Sequence, residues 1–130
     1  MPTIFSRIIA GEIPCYKIAE NDSFIAFLDV NPLAKGHTLV VPKLEVDYLF
    51  DLDDTLLSDI LLFSKQIAKA LEKSIPCKRI GLTVIGLEVP HAHIHLIPIS
   101  SESDQNFRNP KLKLSSEEMK SIADEVIKNL

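Results

Sequence analysis

The sequence predicts an α+β fold: an antiparallel sheet of about five strands, a short helix before it, one long central helix and a C-terminal helix. Three observations lead there. Several short β-prone runs alternate in side-chain character and are separated by turn residues. One long segment, residues 51–74, repeats apolar residues every three or four positions. A helix-opening signature stands at Ser115, after the last strand-like run.

The elements follow in order. Ile4, Phe5, Ile8 and Ile9 give residues 3–10 a helical period that Gly11 can end. Tyr16 to Glu20 reads as a strand, Asn21-Asp22 as a turn, and Ser23 to Val30 as the returning strand of a hairpin. In that return Phe24, Ala26 and Leu28 share one face; Ile25, Phe27 and Asp29 share the other. Asp29 is thus an acid on an apolar face, unless the turn at Asn31-Pro32 occupies it. Lys35-Gly36 makes a loop, and His37 to Pro42 a third strand with a strongly β-prone centre.

In residues 51–74 the stripe is Leu56, Ile60, Phe63, Ile67 and Leu71, widened by Leu57, Leu61 and Ala68. Asp51, Asp53 and Asp54 suit its start and Pro76 its end, and its role is core and dimer packing rather than chemistry. Arg79 to Ile85 returns to strand character, with Gly81 marking a close backbone approach, and Gly86-Leu87-Glu88 turns the chain. Val89 to Ile99 is the last strand, with Pro98 restricted to an edge or an end. Ser100 to Asn109 is polar and reads as a surface loop with little order of its own. Ser115-x-x-Glu118 is a capping box, Leu114 and Met119 can form a hydrophobic staple, and Met119, Ile122, Ala123, Val126 and Leu130 make one stripe. The helix at about 115–130 should fold back on the body of a single domain, 1–130.

Composition narrows the function classes. A net charge of −4 without a dense Lys/Arg run argues against a nucleic-acid binder, while leaving a local anion pocket open. No apolar stretch approaches the ~20 residues of a membrane span, and no signal-type segment opens the chain, so a cytoplasmic protein with no membrane partner is expected. Cys15 and Cys77 fit buried reduced thiols better than a disulfide framework.

Three of the chain's four histidines alternate at His91, His93 and His95, so on a strand their rings stand on one face over Ala92, Ile94 and Leu96. Such a row can be a chance polar face, a metal site using two of the three imidazoles, or a catalytic group in which one ring attacks, a neighbour sets its tautomer and another meets an anion. His37 is the remaining histidine, at the start of its strand.

The run from His91 to Ile97 resembles the signature of the histidine triad superfamily of nucleotidyl hydrolases and transferases. Ile4 to Pro14, Ala26 to Pro32 and Lys35 to Lys43 resemble that family's other landmarks in its usual order. The resemblance implies the histidine-triad-like fold, usually as a two-fold homodimer, and a small AMP-like nucleotide as substrate. By the same resemblance His93 is the nucleophile toward an α-phosphate, His95 and His37 contact phosphate oxygens and relay a proton, and His91 orients the nucleophile's surroundings. Asp29 would accept the ribose hydroxyls, for which a carboxylate is suited, and Phe27, Phe5 and Ile8 would wall the base pocket. No cofactor and no metal are implied; where some bacterial relatives place metal-binding cysteines this chain has Thr3 and Ser6.

The expected activity is therefore that of a purine nucleoside phosphoramidase working through a nucleotidyl-histidine intermediate. A dinucleoside polyphosphate hydrolase and a weakly catalytic nucleotide-binding interaction protein are the alternatives. One departure bears on all three. Gly86 to Pro90 is shorter than the polar approach many relatives carry before the first histidine, and it places Glu88 where a hydroxyl or amide is expected beside a phosphate.

Overall fold

The computed structural model describes residues 2–130. Helix α1 spans Ile4–Ile9, strands β1 Lys17–Glu20, β2 Phe24–Leu28 and β3 Thr38–Pro42 follow, and the long helix α2 runs Asp54–Ser74. Strands β4, Arg79–Thr83, and β5, Ile94–Ile99, complete one antiparallel sheet in the order β1-β2-β3-β5-β4, and α3, Ser116–Lys128, closes the chain. The α+β architecture with five strands and three helices is the one the sequence predicts.

The period-two pattern sorts the side chains onto two cores. Phe24, Ala26, Leu28, Val40, Ala92, Ile94 and Leu96 face α2 and α3, meeting Ile60, Phe63, Ile67, Leu71, Met119, Ala123 and Val126. Ile25, Phe27, Leu39 and Val41 face the other way, where Phe5 of α1 covers them. Each large side chain so buried stabilises the fold by roughly 1.5–3 kcal/mol before chain entropy opposes it. Asp53 caps α2 by accepting the Leu56 amide, and Ser115 and Glu118 complete their reciprocal box at α3.

Several boundaries differ from the sequence pattern. Regular β5 begins at Ile94, not Val89, because the amides before it bond elsewhere: His91 N–H to the Val89 carbonyl and Ala92 N–H to that of Val46. The alternation of faces nevertheless persists through residues 91–93. Pro98 lies in an interior strand, but β3 pairs β5 only at Ile94 to Leu96, so beyond that point β5 has a free side. Residues 100–109 are ordered: Glu102–Gln105 form a 3-10 turn boxed by Ser101 and Asp104. Leu61 is 57% exposed and Leu130 56%, so neither belongs to the core stripe assigned to it, and Cys15 and Cys77 are free thiols that are only half-buried. Gly81 does mark a close approach, since a Cβ there would run into the Gln105 side chain.

Candidate active site

Four imidazoles gather on the α1 side of the sheet, and the main chain around them fixes where each ring's proton sits. His93 lies just before β5 and its Nδ1 donates to the His91 carbonyl at 2.8 Å. A carbonyl only accepts, so the proton of a neutral ring is held on Nδ1 and Nε2 keeps a free lone pair. Burial lowers the His93 pKa from the ordinary histidine value, against the raising effect of that bond, which favours the neutral ring.

His95 carries the opposite tautomer. The Leu33 amide donates to His37 Nδ1 at 3.0 Å, so the His37 proton is on Nε2, which donates to His95 Nδ1 at 3.0 Å. That leaves the His95 proton on Nε2. Burial, reinforced by the neighbouring imidazole, pushes His37 down to about 3 and His95 to about 4, so both rings are neutral near pH 7. The His93 and His95 ring centroids are 4.9 Å apart. A lone pair and an N–H donor therefore stand side by side.

His91 is fully buried and does not line the cavity. Its Nε2 donates to the Pro42 carbonyl at 2.7 Å, and its Nδ1 lies 2.9 Å from Thr3 Oγ1. His37 has both nitrogens engaged, Nδ1 by the Leu33 amide and Nε2 by His95.

A cavity of about 520 Å³ opens over His93 and His95, within the range of small-ligand sites. Phe5, Ile8, Phe27 and Leu39 give it apolar walls. Phe5 packs edge-on at 4.9 Å from His93 and 5.8 Å from Phe27. Asp29 also lines it, one residue past the end of β2. One carboxylate oxygen accepts the Asn31 amide at 2.8 Å, as a turn-capping aspartate would, while the other is 3.6 Å from His37 Nε2. Burial raises the Asp29 pKa and the Asn31 bond partly offsets this.

All eight sequence-chosen residues thus converge, seven on the cavity and His91 behind it. Phe107 and Lys111 are among the lining residues that the sequence reading did not assign to a site. Phe107 packs edge-on against His95 at 4.8 Å, and Lys111 reaches the rim from the segment that Leu112 N–H ties to the Pro32 carbonyl. The available signal was a lone aromatic inside a polar stretch. Glu88 lines the mouth and is exposed. Asp29, His37 and His95 also offer ligand atoms within 4.8 Å of one another, the one such cluster among the described residues. A cation there would have to displace the His37 proton that already joins the two rings.

The HIT domain profile matches residues 10–102. The chain belongs to the HIT domain family. Among its HIT relatives, a HIT-like protein of Borreliella burgdorferi is 36% identical over 135 residues, covering 98% of this chain and 97% of the relative. The adenosine 5'-monophosphoramidase of Schizosaccharomyces pombe is 34% identical over 128 residues, covering 97% and 96%. The crystal structure of a Hit-like protein from Bartonella henselae superposes with a TM-score of 0.85 at 31% identity, covering 98% of this chain and 96% of that one. The fold shared with that structure accords with the five-stranded sheet and its helices. No helix among the described residues is long and apolar enough to cross a membrane.

Proposed function

We propose that this chain is a nucleotidyl hydrolase of the phosphoramidase type, acting at the α-phosphate of a purine nucleotide derivative through a covalent nucleotidyl-His93 intermediate. One observation carries the reading: neutral His93 and His95 present opposite tautomers at the floor of an apolar cavity that also holds Asp29. The activity of the Schizosaccharomyces pombe relative supports it.

The base lies between Phe5, Ile8 and Phe27, and the Asp29 oxygen not taken by Asn31 accepts the ribose hydroxyls. The His93 Nε2 lone pair forms an N–P bond while the bond from phosphorus to the leaving nitrogen breaks. That nitrogen, protonated in the bound phosphoramidate, departs with the electron pair as a neutral amine. Water then forms the P–O bond, the N–P bond returns its pair to His93, and the water proton passes to solvent as AMP is released. His95 Nε2–H donates to a phosphoryl oxygen throughout. Its Nδ1 is held as an acceptor by His37, so it acts as a fixed donor to developing charge.

A two-fold homodimer belongs to the same reading. Strand β4 is a sheet edge that carries exposed Leu82, followed by exposed Val84 and Ile85, and α2 exposes Leu61 and Leu62. An uncovered edge with apolar side chains invites pairing with a second copy. Cytoplasmic residence is supported by the two free thiols. The leaving group has a second candidate: Lys111 at the cavity rim favours an anionic one, as in a dinucleoside polyphosphate.

The test incubates purified protein with an adenosine phosphoramidate and a diadenosine polyphosphate in parallel, with and without chelator, beside His93→Ala. Release of AMP that His93→Ala abolishes and chelator leaves intact is the expected result. AMP binding without turnover of either substrate would leave a binding protein, and activity surviving His93→Ala would remove the covalent mechanism.

A further inference from the structure

The mechanism above leaves one polar assembly unused, which runs from exposed Glu45 to buried Thr3 and His91 and ends behind the nucleophile. Thr3 is 7% exposed although it lies at the start of a six-residue helix. As N-cap of α1 it accepts the Ser6 amide at 3.0 Å, and the same hydroxyl oxygen is 2.9 Å from His91 Nδ1. A hydroxyl meets that nitrogen in either protonation state, donating to a bare nitrogen and accepting from a protonated one. The Thr3 amide donates to the Glu45 carboxylate at 3.3 Å, and the Ser6 hydroxyl donates to the same carboxylate oxygen.

These bonds meet a second set from the segment after β3. The Pro42 carbonyl takes the other His91 nitrogen, and the Val46 carbonyl takes the Ala92 amide at 2.7 Å. Residues 42–46 therefore hold α1 through Glu45 and hold residues 91–92 through two carbonyls. The His91 carbonyl, the acceptor for His93 Nδ1–H, hangs from this doubly clamped residue.

We infer that Thr3, held in place by Glu45, is a positioning residue: through the His91 ring it fixes the carbonyl that sets the tautomer and aim of His93. This rests on His93 being the nucleophile of the proposed reaction. The geometry needs such a device because β5 has not yet begun at residue 93, so no sheet ladder holds the nucleophile's main chain. Removing the hydroxyl leaves a buried ring nitrogen unpartnered and lets the His91 ring and carbonyl shift. Small displacements at a nucleophile cost rate first; the ribose contact at Asp29 lies elsewhere in the cavity, while Phe5 and Ile8 stand on the helix that Thr3 caps, so loss of the cap alone would raise KM without lowering kcat.

The experiment compares wild type, Thr3→Val, Thr3→Ser and Glu45→Ala in steady-state hydrolysis of an adenosine phosphoramidate and in AMP binding. It adds long-range proton–nitrogen spectra of the imidazoles. Thr3→Val is expected to lower kcat about tenfold or more, with a smaller change in KM and AMP affinity from the lost cap of the helix that carries Phe5 and Ile8. Thr3→Ser, which keeps the hydroxyl, restores kcat to within about threefold, and Glu45→Ala falls between. In the spectra, slowly exchanging His91 Nε2–H and His93 Nδ1–H signals are present in wild type, and the His93 signal weakens in Thr3→Val. Unchanged kcat in Thr3→Val, an equal loss in Thr3→Ser, or a rise in KM alone would overturn the assignment. If wild type hydrolyses nothing, the proposed reaction fails, and the ring-proton spectra still decide whether Thr3 fixes the His93 tautomer. Should Thr3→Val not fold, Thr3→Ser and Glu45→Ala carry the same comparison.

Discussion

Lowering the pH from 7.5 to 5.0 should destabilise this protein through His37 and His95. Their folded pKa values lie at about 3 and about 4, below the ordinary 6.5, because burial disfavours the charged ring. Between the folded and unfolded values the unfolded chain binds more protons, so stability falls as pH falls and is fully present above pH 6.5. Since pH 5 lies above both folded values, the loss depends almost entirely on the unfolded value. It amounts to about 2 kcal/mol for each ring, or about 4 kcal/mol together. With a urea slope of about 2 kcal/mol per molar, the midpoint should drop by about 2 M. Urea unfolding at both pH values, on wild type and His37→Asn, reads this directly. The variant keeps an acceptor for the Leu33 amide but no group that titrates in this range, and its pH-dependent loss should be smaller by about 2 kcal/mol or more. Equal pH dependence in the two proteins would refute the claim that these rings are held neutral by the fold.

Asp29→Asn should weaken discrimination between ribo- and 2'-deoxyribonucleotides, with an affinity loss of about 1.5–3 kcal/mol for AMP and a smaller loss for its 2'-deoxy analogue, which keeps only the 3' hydroxyl, read by calorimetry. Glu88→Gln should raise kcat/KM by no more than about fivefold, because an exposed charge acts on a phosphate with about 1 kcal/mol through water. Leu82→Arg on the β4 edge should shift a dimer toward monomer in sedimentation at micromolar concentration. Gly36→Ala should lower stability by about 2 kcal/mol in the same urea assay. Its φ is +87° and a Cβ would meet the Ile75 side chain at 2.9 Å.

The fold was legible wherever one residue pattern answered to one packing requirement. Phe24, Ala26 and Leu28 alternate with Ile25 and Phe27 because each set faces a different core, and Ser115 with Glu118 marks a helix start that needs no tertiary partner. Leu61 reads as core because α2 carries apolar residues over a wider arc than the sheet and α3 cover. Residues 100–109 looked unordered because their order comes from the Ser101 and Asp104 box and from Phe107 seated on His95. A polar composition does not disclose either. At the site, sequence alternation put the rings together, but the allocation of protons depends on Leu33, Pro42 and His91 main-chain groups, which have no sequence signature.

In the proposed reaction that allocation gives four chemically identical side chains different parts. Burial favours the neutral form of His37, His93 and His95 but leaves each tautomer undetermined. A carbonyl beside Nδ1 of His93 makes it a base at Nε2. An amide beside Nδ1 of His37 makes that ring a donor, which in turn makes His95 a donor at the position where His93 presents a lone pair. Reversing either main-chain partner would set two donors or two acceptors side by side, and neither pair could both attack phosphorus and stabilise the charge that develops on it. The proton placement on which the proposed reaction depends therefore resides in the main chain around β3 and before β5, which decides what each imidazole can donate or accept.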